Sequence, residues 1–145
     1  MNDFNSKHPY TITIEVIFRD IDSFGHVNNA VYFTYLETAR TKYFQKLKNQ
    51  SGLEQMNMIV ASASCNYKSP ALIEEKLHIS VGITRLGTKS FDFIYRIQSE
   101  KGRQIADAKT VQVAYDYKTQ NSIILPEKFK STVLEMQRGL YCPDK

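Results

Sequence analysis

From Asn29 to about Lys48 the chain has no proline or glycine, and Ala30, Phe33, Leu36, Tyr43, Phe44 and Leu47 recur at helical spacing on one broad face. A helix that long and that apolar on one side needs an extended apolar surface to cover it. The remaining long segments supply one, because they alternate with a period of two. Tyr10 to Phe18 precedes the helix, with Ile12, Ile14, Val16 and Phe18 on one face and Thr11, Thr13 and Glu15 on the other. After the loop Gln50-Ser51-Gly52 come Met58 to Tyr67, which Pro70 ends or bulges, and Glu75 to Arg85, with Leu77, Ile79, Val81 and Ile83 on one face. Gly87 turns the chain into Ser90 to Ser99, where Phe91, Phe93, Tyr95 and Ile97 alternate, and the two segments make a hairpin. Glu100-Lys101-Gly102-Arg103 is the next turn, and Gln104 to Tyr117 is a long last strand. Residues 126–145 form a short helical tail, with Pro126 near its start and Phe129, Val133, Leu134 and Met136 as apolar positions. The order strand, long helix, four strands predicts an α+β fold, an antiparallel sheet with the helix against one face. At 145 residues the chain is expected to be one domain, 1–145. An open sheet has edge strands, and these invite pairing with another copy.

The strand-to-helix junction concentrates chemistry. Arg19-Asp20-Ile21-Asp22-Ser23-Phe24-Gly25-His26-Val27-Asn28-Asn29 places acids, an imidazole, a glycine and two amides at the first turn of the helix. A helix start offers unpaired N–H groups and the positive end of the helix dipole, so it holds negative charge. The donors here come from Val27, Asn28, Asn29 and Ala30. With Asp22 beside them they make the two halves of an acyl-transfer site: a carboxylate to attack or to activate water, and amides to receive an oxyanion. The commoner role of an Asp ahead of a helix is a cap or turn former, and spacing alone leaves both roles open for Asp22.

Composition narrows the rest. No apolar run approaches the ~20 residues of a membrane span, and the polar start Met1-Asn2-Asp3-Phe4 lacks a signal-peptide core, so a cytoplasmic protein is expected. The two cysteines, Cys65 and Cys142, have no metal-ligand spacing and are expected as free thiols, Cys65 as core filler within a strand. The net charge of +4 is spread along the chain without an aromatic-studded basic motif, which argues against nucleic acid and leaves phosphorylated small molecules open.

The text Asp22-Ser23-Phe24-Gly25-His26-Val27-Asn28-Asn29, the helix stretch Tyr32-Phe33-Thr34-Tyr35-Leu36-Glu37-Thr38-Ala39-Arg40 and the turn Arg85-Leu86-Gly87-Thr88-Lys89-Ser90-Phe91 together resemble the 4-hydroxybenzoyl-CoA thioesterase family of hotdog-fold proteins, most closely its Tol-Pal-associated acyl-CoA thioesterase branch. The likeness runs from about Tyr10 to Pro126. It implies a hotdog fold, in which the sheet wraps around the central helix, and hydrolysis of a fatty or aryl acyl-CoA to free acid and coenzyme A. It also implies a homodimer at least, and beyond it a tetramer, with active sites at the subunit interface. Neither a metal nor a redox cofactor is implied, and coenzyme A enters as part of the substrate.

Carried over residue by residue, the resemblance puts Asp22 in the position of the catalytic acid, and leaves Asp20 a structural hydrogen bond or salt bridge. His26 is a second candidate that would orient water or Asp22, although a lone histidine is more often structural. Glu37 is the reserve acid, since other hotdog thioesterases place the carboxylate on the helix; its ordinary role is an i,i+3 ion pair with Arg40. The backbone amides of Asn28, Asn29 and Ala30 would form the oxyanion hole, unless the asparagines only cap the helix. Gly25 supplies a positive φ or room for the thioester. Phe24 and Tyr32 would line the acyl pocket, and Lys89 and Ser90 would meet the pantetheine or nucleotide. A hydratase is disfavoured because Phe24 and Gly25 stand between Asp22 and His26 where hydratases carry an Asn-Pro. An acyl-ACP thioesterase, which shares His26-Val27-Asn28-Asn29, and a weakly active acyl-CoA-binding scaffold are the remaining rivals.

Overall fold

In the computed structural model, which describes residues 9–138, one antiparallel sheet is built from β1 (Tyr10–Glu15), β2 (Asn57–Tyr67), β3 (Lys76–Leu86), β4 (Ser90–Ser99), β5 (Gln104–Asp116) and the two-residue β6 (Asn121–Ser122). The spatial order is β1-β3-β4-β5-β2, with β6 on β5, so β1 and β2 are its edges. Helix α1 (Val31–Ser51) lies against one face, and α2 (Glu127–Met136) packs beside it. His8, Cys142 and the tail beyond residue 138 lie outside the described residues.

Alternation explains the core. Leu77, Ile79, Val81 and Ile83 of β3 and Phe91, Phe93, Tyr95 and Ile97 of β4 point to one face and are fully buried. The register Ile79 with Ile97, Val81 with Tyr95 and Ile83 with Phe93 sets these side chains shoulder to shoulder under α1. The helix answers with Leu36, Ala39, Tyr43, Phe44 and Leu47, and the rings of Tyr43 and Phe44 meet those of Phe93 and Phe91. Each such side chain contributes roughly 1.5–3 kcal/mol on burial. Gly52 ends α1 in the left-handed region, at φ 72°, and its amide returns to the Lys48 carbonyl.

The first strand is shorter than alternation predicts. It stops at Glu15, and Phe18, expected on the inward face, lies in a 3-10 turn (Phe18–Asp20) with 81% of its surface exposed. The cause is local: the Ile17 amide donates to the Asp20 carboxylate, and the amide of Asp20 to the carbonyl of Ile17. The chain therefore turns off the sheet before it reaches the junction. Pro126 is the N-cap of α2; Phe129 and Val133 are buried as the pattern predicts, Thr132 is buried with them, and Leu134 and Met136 are partly exposed.

Candidate active site

The 20–30 segment is a tight loop tied down at both ends. The Asp22 amide donates to the carbonyl of His26, Gly25 returns to the carbonyl of Asp22, Val27 donates to Ala71, and Asn28 donates to Asp20. Gly25 sits at φ 89°, and a Cβ there would meet nothing within 4 Å. The glycine is thus required by backbone conformation rather than by space. Asp22 does both things that its position allows. Its Oδ1 accepts the Phe24 amide at 2.9 Å, the turn-forming role, while its other oxygen accepts no hydrogen bond among the described residues. Asp20 is structural: its carboxylate accepts from the Tyr35 hydroxyl at 2.7 Å, and burial together with that bond pushes the Tyr35 phenol far up.

The helix start narrows the oxyanion donors. Asn28 and Ala30, expected to offer their amides, have both engaged them: Asn28 N–H donates to the Asp20 carbonyl at 2.9 Å, and Ala30 N–H to the Asn28 side-chain oxygen at 2.9 Å. The Val27 amide is held by Ala71 in the same way. Asn28 therefore forms a turn just ahead of the helix, whose N-cap is Ala30. Asn29 keeps its N–H free of acceptors among the described residues.

Asp22, His26 and Asn29 line one cavity of about 430 Å³, of the size that holds a small ligand. Tyr32 lies in its wall, buried, with the Ala71 amide donating to its hydroxyl. The opposite wall is Tyr67, Lys68, Ser69 and Pro70, from the end of β2. These four were not among the expected site residues; the only signal they gave was Pro70, read as a strand end. The Tyr67 hydroxyl donates to the Asn29 carbonyl and its ring stands edge-on to Tyr32, centroids 5.0 Å apart. Behind this wall Arg103 holds the loop, donating to Ser69 Oγ, to the Pro70 carbonyl at 2.7 Å and to both oxygens of Glu75. The guanidinium keeps the Glu75 carboxyl below its ordinary value. Cys65, half-buried two residues earlier, is pushed up by burial and is a thiol rather than a nucleophile at neutral pH.

Other expected residues lie elsewhere. Phe24 is 82% exposed on the loop and does not line the cavity. Lys89 and Ser90 occupy the β3–β4 hairpin end, where Ser90 Oγ accepts from Arg85 and Lys89 approaches Ser122 at 3.5 Å. That is the far end of the sheet: Ser90 is level with Val113 and so with Ile59, whereas Tyr67 is level with Ala106. Glu37 lines a separate cavity with Arg40, and the i,i+3 ion pair expected between them is absent among the described residues. His78 bonds Thr13 across the β1–β3 edge.

Known proteins resemble this chain in sequence and fold. The family model described as the thioesterase-like superfamily matches residues 16–133. A long-chain acyl-CoA thioesterase, FadM of Escherichia coli K12, is 30% identical over 122 residues, 80% of this chain and 90% of the relative. The acyl-CoA thioester hydrolase YbgC of Escherichia coli O6:H1 is 27% identical over 128 residues, 86% of this chain and 93% of the relative. Among solved structures, a thioesterase from Thermus thermophilus complexed with coenzyme A and Zn superposes with a TM-score of 0.77 at 27% identity, covering 94% of this chain and 96% of the other.

Proposed function

The chain belongs to the thioesterase-like superfamily, with a hotdog fold and the thioester-hydrolase activity of that group, and we propose that it cleaves acyl-CoA thioesters in the Asp22 cavity. One observation carries the assignment of the site: Asp22, with one carboxylate oxygen that accepts no bond among the described residues, and Asn29, whose amide has no acceptor among them, line the same cavity.

The thioester carbonyl would direct its oxygen at the Asn29 amide, where the helix dipole favours the charge that develops. Asp22 acts on the carbonyl carbon by one of two routes. As general base it takes a proton from water, hydroxide adds, and the C–S bond breaks to release the coenzyme A thiolate, which takes up the proton. As nucleophile it adds directly, expels the thiolate and forms a mixed anhydride that water then hydrolyses. Water and a carboxylate suffice for either route, so no cofactor is invoked and coenzyme A is the leaving group. His26, in the cavity wall with no side-chain hydrogen bond described, is positioned to orient the water.

The working unit in this reading is a homodimer at least, with a tetramer as a further step. β2 is an edge strand with Ile59 and Val60 exposed, the kind of edge that pairs with a second copy. If β2 pairs antiparallel with itself, Tyr67 lies opposite the Asn57 end of the partner. The hairpin bearing Lys89 of the partner subunit then stands level with the cavity, about three strand spacings or 14 Å away. This accounts for Lys89 and Ser90 lying far from Asp22 within one chain: they would meet the coenzyme A arm of the neighbouring site. Cytoplasmic residence is part of the same proposal; among the described residues no helix is long and apolar enough to cross a membrane.

The test is free-thiol release from short, medium, long and aryl acyl-CoAs, with acyl-ACP thioesters alongside. Turnover of a CoA series supports the reading and names the acyl class. Turnover confined to acyl-ACP transfers the activity to that carrier, and binding without turnover would leave a scaffold.

A further inference from the structure

The second cavity, about 250 Å³, sits between α1 and the middle of β2 and contains both Glu37 and Arg40. Arg40 is only 8% exposed, yet its one described hydrogen bond is to the Tyr95 hydroxyl at 3.2 Å, which in turn bonds Thr110. No carboxylate approaches it among the described residues. A buried charge left unpaired is costly, several kcal/mol in general. Glu37, one turn away on the same helix, is exposed and equally without an ion-pair partner among the described residues. The floor is apolar and open: Phe33 is 37% and Val60 47% exposed.

A positive and a negative group, unpaired and adjacent on one patch, are what a two-fold interface makes use of, because residue i of one copy meets residue j of the other and the reverse. The place fits. β2 spans Asn57–Tyr67, so its midpoint is Ser62, and the cavity is lined by Val60 and Ala63 on either side of it. A two-fold axis that pairs β2 with its copy along its whole length passes beside this cavity and sets the two copies of it face to face.

We propose that a second copy of this chain covers this cavity, the Arg40 guanidinium of each copy pairing with Glu37 of the partner subunit across the axis. The inference rests on the β2 pairing above and adds what fixes its register. β2 has no buried residue on either face, so alternation of buried and exposed side chains does little to choose one register over another. Two reciprocal ion pairs at the axis choose one, since a slip of the strands separates both. The catalytic cavities at the strand ends then keep a defined relation to the partner's hairpins. A ligand carboxylate on Arg40 is the competing occupant, but Glu37 in the same cavity would repel it.

Two measurements separate this from the pairing on which it rests. With Cys65 and Cys142 replaced by serine, Ser62→Cys should crosslink to itself under mild oxidation, since a residue on the axis faces its own copy within disulfide reach. The dimer dissociation constant is then read for wild type, Glu37→Gln, Glu37→Arg and the double exchange Glu37→Arg/Arg40→Glu. The expected result is crosslinking, a weakening of roughly tenfold or more in Glu37→Gln, more in Glu37→Arg, and recovery towards wild type in the double exchange. Glu37 is exposed, so its single variants test the pair even if the double exchange does not fold. Crosslinking with a dissociation constant unchanged in Glu37→Gln overturns the ion pair and leaves the β2 dimer standing. An unchanged dimer with KM raised in Arg40→Gln assigns Arg40 to a ligand and overturns the pair as well. Absence of crosslinking overturns both.

Discussion

The Tyr67 hydroxyl donates to the carbonyl oxygen of Asn29 at 2.9 Å, joining the end of edge strand β2 to a residue that lines the cavity with Asp22. The usual partner of that carbonyl would be the amide of Phe33, but Phe33 donates to Ala30 instead. The first turn of α1 is thus steered from outside the helix. Tyr67→Phe should keep the ring contact with Tyr32 and lose this bond together with the hydroxyl's contact with the Cys65 sulfur. The expected outcome is a several-fold fall in kcat with a melting temperature within a few degrees of wild type, a neutral hydrogen bond contributing about 1 kcal/mol. Steady-state kinetics beside thermal denaturation read both.

Gly25 holds the turn of the loop that carries Asp22. At φ 89° an alanine costs on the order of 1–2 kcal/mol, and the strain falls on a turn whose hydrogen bonds go to Asp22. Gly25→Ala should lower both stability and kcat, while Gly52→Ala, with the same sign of φ at the C-terminal end of α1, should lower stability alone. Comparing the two by thermal melts and thiol release separates strain at the site from strain in general.

The wall of the cavity is fastened by Arg103 and Glu75. The hydrogen bonds from Arg103 hold the Glu75 carboxyl below its ordinary 4.5, so the pair stabilises the fold above that range and the contribution disappears as pH falls through the lowered value. Arg103 is 42% exposed, and screening keeps the effect small. Glu75→Gln should melt lower than wild type at pH 7, and the difference should close as acidification protonates the Glu75 carboxyl. A difference that persists or widens in acid would mean that the pair is not the source.

Gln137, fully buried after α2, acts as a strand neighbour. Its side chain accepts from the Ile83 amide and the Tyr43 hydroxyl and donates to the Ile83 carbonyl. Gln137→Ala removes these three hydrogen bonds and should cost roughly 2–4 kcal/mol. Chemical denaturation would show it as a lower midpoint with an unchanged slope.

The legible parts of this chain are those in which one period dominates. Leu77 to Ile83 and Phe91 to Ile97 read as inward faces because nothing competes with alternation there. Phe18 misleads because alternation continues through Ile17 and Phe18 while the Asp20 carboxylate turns the backbone away. The junction is legible down to Asp22, since helix starts, acids and glycine have local meanings. The choice among Asn28, Asn29 and Ala30 is not, because it depends on acceptors supplied by Asp20 and by the Asn28 side chain. Tyr67 to Pro70 escape for the same reason: the loop around Asp22 and the end of β2 are remote in sequence and meet only when β2 takes the sheet edge.

The central claim is that Asp22 performs the chemistry. The most direct measurement is thiol release from the best acyl-CoA by wild type and Asp22→Asn under single-turnover and steady-state conditions. Because asparagine can still accept the Phe24 amide, the loop should stay folded. The expected result is a fall of about 10²- to 10⁴-fold in kcat with KM changed only a few-fold. A kcat within a few-fold of wild type, in a variant of unchanged melting temperature, would contradict the account.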